Sequence, residues 1–124
     1  MKTPRLLLAL VFTLLAAFTL PAHADPFGWG NNTFGALGDG TTTDRSTPVA
    51  ADMGGVLAGK TVTAIAGGVY HTVALTSDGK AYAWGNNVFG QLGDGTNTTR
   101  TTPVAVDMGG VLAGKTVTAI AARD

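Results

Sequence analysis

The stretch WGNNTFGALGDGTTTDRSTPVAADMGGVLAGKTVTAIA, beginning at Trp29, is written again from Trp84 as WGNNVFGQLGDGTNTTRTTPVAVDMGGVLAGKTVTAIA. The offset is 55 residues, and it holds without a gap from Trp29/Trp84 to Ala66/Ala121. A fixed period of this size constrains the fold strongly. It marks an architecture in which one supersecondary unit cannot bury its own apolar face and must stack on the next.

The unit reads as β-strands. TVTAIA alternates branched and small residues until Gly67-Gly68 breaks it, and HTVALT alternates again. In an extended chain His71, Val73 and Leu75 fall on one face, with Thr72, Ala74 and Thr76 on the other. SDG follows as a turn in which Gly79 takes positive φ, and KAYAW returns as the partner strand. A fourth strand is expected at TPVAV, led by Pro103, since proline suits a strand start or an edge. The glycines of DMGGVLAGKT allow at most a single helical turn. Four short strands separated by Gly-rich turns, stacked radially, make a β-propeller blade. The composition agrees, because all eight acids are Asp and there is no Glu. Asp, Gly and Thr favour turns and strands over helices.

The period and the words around each Trp argue against blades of the WD40 type, which run at roughly 40–45 residues and end in Trp-Asp. Instead GGVYHTVALTSDGKAYAWGNNVFGQLGDGTNTTRTTPVAV resembles the repeat of the regulator of chromosome condensation family. Gly67, His71, Ala74, Leu75, Asp78, Gly79, Tyr82, Trp84, Gly85, Asn86, Gly90, Gln91, Leu92 and Gly93 carry the resemblance. The first copy matches at Trp29, Gly30, Asn31, Gly35, Leu37 and Gly38, with Ala36 in place of the Gln. The resemblance implies a propeller, usually of seven blades.

Four segments follow. Residues 1–24 read as a secretory signal peptide: the basic start MKTPR, the apolar run LLLALVFTLLAAFTL, and a small-x-small end at Ala22-His23-Ala24. The run is shorter than the ~20 residues a bilayer span needs, so no stable membrane span is expected after cleavage. Residues 25–60 form a partial blade, 61–106 a complete one, and 107–124 the start of another, with a lone strand at the second TVTAIA. The expected fold is therefore all-β: an incomplete propeller with one full four-stranded antiparallel blade plus partial blades, behind an N-terminal signal helix. Two copies do not close a seven-bladed ring. The expectation is a fragment of a longer propeller, a truncated reading frame, or a head-to-tail oligomer joined through open blade edges.

Several residue groups invite a chemical reading. Asp94, Asn86, Asn87 and Asn97 offer oxygens to Ca²⁺, but an EF-type loop needs a late bidentate Glu that this chain lacks. A phosphate cradle needs a Lys after the glycines, and none follows. The reading taken is that Gly85, Gly90, Gly93 and Gly95 shape turns, Leu92 fills the gap between blades, and Asp94 and the Asn side chains bond loop amides. His71, Ser77 and Asp78 do not make a triad. His71 begins a strand whose far end carries Ser77, some 18–20 Å away if extended. Without Cys there is no thiolate nucleophile and no cysteine metal site.

Trp29, Trp84, Tyr70, Tyr82, Phe34 and Phe89 are expected to pack mainly between blades, with Tyr70 the best candidate for an exposed interaction residue. Asn31-Asn32-Thr33 and Asn97-Thr98-Thr99 match the glycosylation sequon.

The functional expectation is a secreted, periplasmic or cell-surface repeat protein acting as a protein–protein interaction scaffold. No enzymatic activity, cofactor or metal is expected. The formal net charge of zero supplies no field to attract nucleic acid. The resemblance points the same way, since such propellers serve as interaction scaffolds and one secreted bacterial type inhibits β-lactamases. Guanine-nucleotide exchange, the role of the family's namesake, is the alternative, with an adhesive cell-surface segment as a third reading.

Overall fold

The computed structural model describes residues 24–123. The signal peptide read at 1–24 therefore lies outside the described residues, apart from Ala24. Among the described residues six strands make two sheets. Strand β1 (Phe27–Gly30) pairs antiparallel with β2 (Arg45–Ala50), and β3 (Val62–Gly67), β4 (His71–Thr76), β5 (Ala81–Gly85) and β6 (Arg100–Ala105) form a four-stranded meander in sequence order. The architecture is all-β and matches part of a propeller: one complete blade beside a half-blade.

The strands follow the alternation in the sequence. In the β4–β5 pairing His71 lies opposite Gly85, Ala74 opposite Tyr82 and Leu75 opposite Ala81. Thr76-Ser77-Asp78-Gly79 closes that hairpin, with the Gly79 amide donating to the Thr76 carbonyl at 3.0 Å. The fourth strand starts two residues before the expected TPVAV, because Arg100 pairs with Gly85 across a bulge. The half-blade copies this geometry. Phe27↔Ala50, Gly28↔Val49 and Gly30↔Arg45 match Tyr82↔Ala105, Ala83↔Val104 and Gly85↔Arg100, bulge included.

One expected strand does not form. TVTAIA is strand at 62–66 but makes no ladder at 116–121. The cause is its neighbours. The first copy runs directly into β4, which pairs with it from Val62↔Thr76 to Gly67↔Thr72. The second copy finds no such partner among the described residues. Its tie to the blade is the Val117 amide, which donates to the Gly79 carbonyl at 2.8 Å. A strand needs a partner for its backbone groups, whatever its side chains prefer.

The core crosses the repeat boundary. Ala51 and Leu57 come from the tail of the first repeat and Val62, Ala74, Tyr82 and Trp84 from the complete blade, with Met53 packed against them. Leu57 is fully enclosed, worth about 1.5–3 kcal/mol for a side chain of this size. Its counterpart Leu112, in a single 3-10 turn (Gly110–Leu112), is only half-buried. The first repeat tail thus packs beneath the following blade, and the second tail has no blade above it among the described residues.

Candidate functional site

The glycine- and asparagine-rich loops are the most chemically loaded part of the chain, and each is organised around one buried amide. Asn87 is 0% exposed. Its Nδ2 donates to the Thr96 carbonyl at 2.9 Å, the Thr98 carbonyl at 3.0 Å and Asp94 Oδ1 at 3.2 Å, while Oδ1 accepts the Leu92 amide at 3.0 Å. Asn32 does the same in the first repeat, to Thr41, Thr43 and Asp39, and accepts from Leu37. The side chain stands in for a strand partner, pairing loop carbonyls and an amide that the neighbouring strands do not reach.

Asp94 completes the knot. Its Oδ1 accepts the Thr96 amide and hydroxyl at 3.0 and 2.8 Å, and Oδ2 faces Arg100 Nε at 3.2 Å. Burial works against the charge on Asp94. The bonds from Thr96, Asn87 and Arg100 outweigh it and hold the carboxyl below its ordinary pKa. Asp39 is held down likewise, against burial, by Thr41, Arg45 and Asn32.

In this arrangement the oxygens weighed for Ca²⁺ are bonded within the loop. Both Asp94 oxygens and Asn87 Oδ1 point into the knot, and Asn86 Oδ1 accepts the Val88 amide at 2.9 Å. Asn97 stands exposed. Among the described residues no cluster of three His, Cys, Asp or Glu side chains could hold a metal ion. The role of Asn87 as hub, and the Arg100–Asp94 pair, go beyond the sequence expectation of loop-amide bonding. Their signal was present, because Asn, Asp, Thr and Arg recur at identical spacing in both copies.

The first loop also builds the seam between repeats. Trp84, 1% exposed, donates its indole N–H to the Ala36 carbonyl at 2.8 Å, and the Thr72 hydroxyl donates to that same oxygen at 2.8 Å. The Gly40 amide donates to the Thr101 carbonyl at 2.9 Å. Gly38 has φ +74°, and a Cβ there would stand 2.7 Å from Trp84 Nε1. Gly35 is as constrained by the Thr101 backbone, at 2.7 Å. The glycines of the signature are therefore flat seats for the next strand pair as well as turn formers. Leu37 and Leu92 are both buried beneath their loops.

The remaining candidates separate. His71 is buried at the head of β4, while Ser77 is exposed beyond its far end. Asp78 is taken by Lys60 Nζ at 2.8 Å and by the Thr76 hydroxyl. Hydrogen bonding from Lys60 first, then Thr76, lowers its pKa to about 2. Nothing brings His71, Ser77 and Asp78 together.

The aromatic set divides, and the expectation of packing between blades is corrected for part of it. Trp84 and Tyr82 are buried, but Trp29 is 65% exposed and Phe89 91%. Both exceed Tyr70, at 42%, which packs edge-on against Phe34 with ring centroids 5.0 Å apart. Trp84 is covered because a preceding repeat loop exists to cover it. Trp29 and Phe89 have no such cover among the described residues. Between half-blade and blade lies an open cleft of about 380 Å³, walled by Phe27, Trp29, Leu37, Ile65, Val69 and Trp84.

Comparison with known proteins agrees with this geometry. The profile of the regulator of chromosome condensation (RCC1) repeat matches residues 27–75 and 78–122, and a second profile of that repeat matches 62–91. The ultraviolet-B receptor UVR8 of Arabidopsis thaliana is 42% identical over 80 residues, 64% of this chain and 17% of the receptor. Human alsin is 36% identical over 93 residues, covering 74% of this chain and 5% of alsin. Among solved structures, Prp20p from Saccharomyces cerevisiae superposes with a TM-score of 0.65 at 27% identity, covering 85% of this chain and 26% of that one. Human WBSCR16 gives 0.56 at 33% identity, covering 68% and 20%. The chain thus spans about a quarter or less of each of these relatives. With two profile matches in tandem and the same blade geometry, the chain belongs to the regulator of chromosome condensation repeat family.

Proposed function

We propose that this chain is a secreted propeller-repeat protein that acts as a protein–protein interaction scaffold, without catalytic chemistry of its own, and forms part of a larger propeller assembly. The observation that carries this reading is the contrast within the second loop. The polar groups of Asn87 and Asp94 are spent on internal bonds, while Phe89, 91% exposed, and Val88, 55% exposed, stand at the loop surface. A rigid loop presenting an aromatic side chain suits protein recognition, since little entropy is lost on binding. Prp20p, which shares the fold, has binding properties toward Gsp1p and histones. No feature of the loops favours the exchange-factor reading, and the chain spans 26% of Prp20p.

Two measurements test the proposal. N-terminal sequencing of the exported protein should begin at Asp25, and retention of Met1 in the cell would overturn the secreted assignment. A photo-crosslinking residue at position 89 should trap discrete proteins, and the same residue at Lys80 should not. Equal labelling from both sites, or hydrolase activity that copurifies with the chain, would count against a scaffold.

A further inference from the structure

The seam inside the chain uses a donor face and an acceptor face, and the chain carries a second copy of each, uncovered. The acceptor face is the loop Ala36–Gly40: the Ala36 carbonyl receives the Trp84 indole, Gly38 lies under the ring, Gly35 lies against the Thr101 backbone, and the Gly40 amide bonds the Thr101 carbonyl. At the 55-residue offset the second loop offers the Gln91 carbonyl, Gly93, Gly90 and the Gly95 amide. Gly90 and Gly93 keep the backbone of their counterparts, with φ +76° and +65° against +78° and +74°. No hydrogen bond reaches the Gln91 carbonyl or leaves the Gly95 amide among the described residues. The donor face has its duplicate on the half-blade. Trp29 holds on β1 the position of Trp84 on β5, Ser46 holds on β2 that of Thr101 on β6, and the register is the same. Trp29 is 65% exposed.

We infer that a second copy of this chain docks head to tail on the first, its Trp29 seated on Gly93 with the indole N–H on the Gln91 carbonyl, and its Ser46 carbonyl accepting the Gly95 amide. The contact reproduces the hydrogen bonds of the intrachain seam, with Gln91 standing for Ala36 and Ser46 for Thr101. The Thr72 hydroxyl, and the apolar groups of Val62, Ala74 and Tyr70 that line the intrachain seam, have no counterpart among the described residues. Because the two faces differ, the interface is heterologous and extends into rings or open chains rather than stopping at a symmetric pair.

Heterologous pairing gives a test in which each face is disabled separately. Trp29→Ala removes the donor, and Gly93→Asn blocks the acceptor with the residue type most tolerant of that backbone. By sedimentation velocity the unaltered protein should associate as concentration rises, with the exposed Trp29 emission moving to shorter wavelength. Each variant alone should remain monomeric, with circular dichroism unchanged. Their mixture should form a one-to-one dimer and nothing larger, since one intact face of each kind remains. The loss from Trp29→Ala should be about 30-fold or more in affinity, as for a tryptophan at the centre of an interface. A protein that stays monomeric at hundreds of micromolar, variants that each associate like the parent, or a mixture that never pairs would each overturn the proposal. The second of these outcomes would assign association to another surface, such as the open edge of β1.

Discussion

Gly38 and Gly93 occupy the same place in consecutive repeats, and replacing each with alanine separates backbone strain from the cost of disturbing the seam. Both have positive φ, +74° and +65°, so each alanine brings roughly 1–2 kcal/mol of strain. At Gly93 the new Cβ meets Val106 Cγ1 at 3.3 Å, which a small side-chain shift relieves. At Gly38 it falls 2.7 Å from Trp84 Nε1 and 3.0 Å from Cδ1 and Cε2. The ring must move. Moving it weakens the bond to the Ala36 carbonyl, about 0.5–1.5 kcal/mol, and disturbs a packed core at about 1–3 kcal/mol. Gly38→Ala should therefore cost about 2–3 kcal/mol more than Gly93→Ala, or 10 °C or more in Tm for a domain of this size. Urea unfolding followed by Trp84 emission in a Trp29→Phe background, at dilution, measures both. Equal costs at the two positions would refute the seam as the reason for the glycine at position 38.

Further outcomes follow from the loops and turns. Asn87→Ala strands the Leu92 amide and the Thr96 and Thr98 carbonyls, so it should cost about 3 kcal/mol or more. Asn86→Ala, which removes one partly buried acceptor, should cost about 1 kcal/mol by the same urea midpoints. Asp39, Asp78 and Asp94 have folded-state pKa values below the ordinary one. Their contribution is therefore present above about pH 4 and lost as pH falls toward 2, where the unfolded chain binds more protons. Urea midpoints should be level from pH 7 to about 5 and drop below 4, and Asp78→Asn should remove part of that drop. Calcium at millimolar concentration should leave Tm unchanged, and a rise of several degrees would restore the ion-loop reading of Asp94.

Strand order was legible because side-chain alternation, Gly-rich turns and the 55-residue echo all describe one blade. What the sequence did not disclose depends on neighbours. TVTAIA is identical at both places, yet it is a strand only beside HTVALT. Trp29 and Trp84 sit in the same words, yet among the described residues only Trp84 meets a preceding loop that accepts its indole. Asn87 sits in a loop rich in glycine and threonine, where an amide reads as turn chemistry. Its burial comes from the Asp94–Thr98 segment folding over it, a contact across eleven residues. The doublet Asn86-Asn87 also has two unlike roles, since the first caps a local turn and the second holds the loop.

The two repeats are locked together by a tryptophan bonded to the preceding loop. The chain contains two tryptophans, so one of them serves as an internal control. Amide and indole hydrogen exchange, followed by NMR in dilute solution, reads both N–H groups in one sample. A Trp84 indole protected by at least about 100-fold over Trp29, with the Leu92 and Leu37 amides protected alongside it, is the expected result for groups released only by cooperative opening. A Trp84 indole exchanging as fast as that of Trp29, in a chain whose β4–β5 amides remain protected, would contradict the lock.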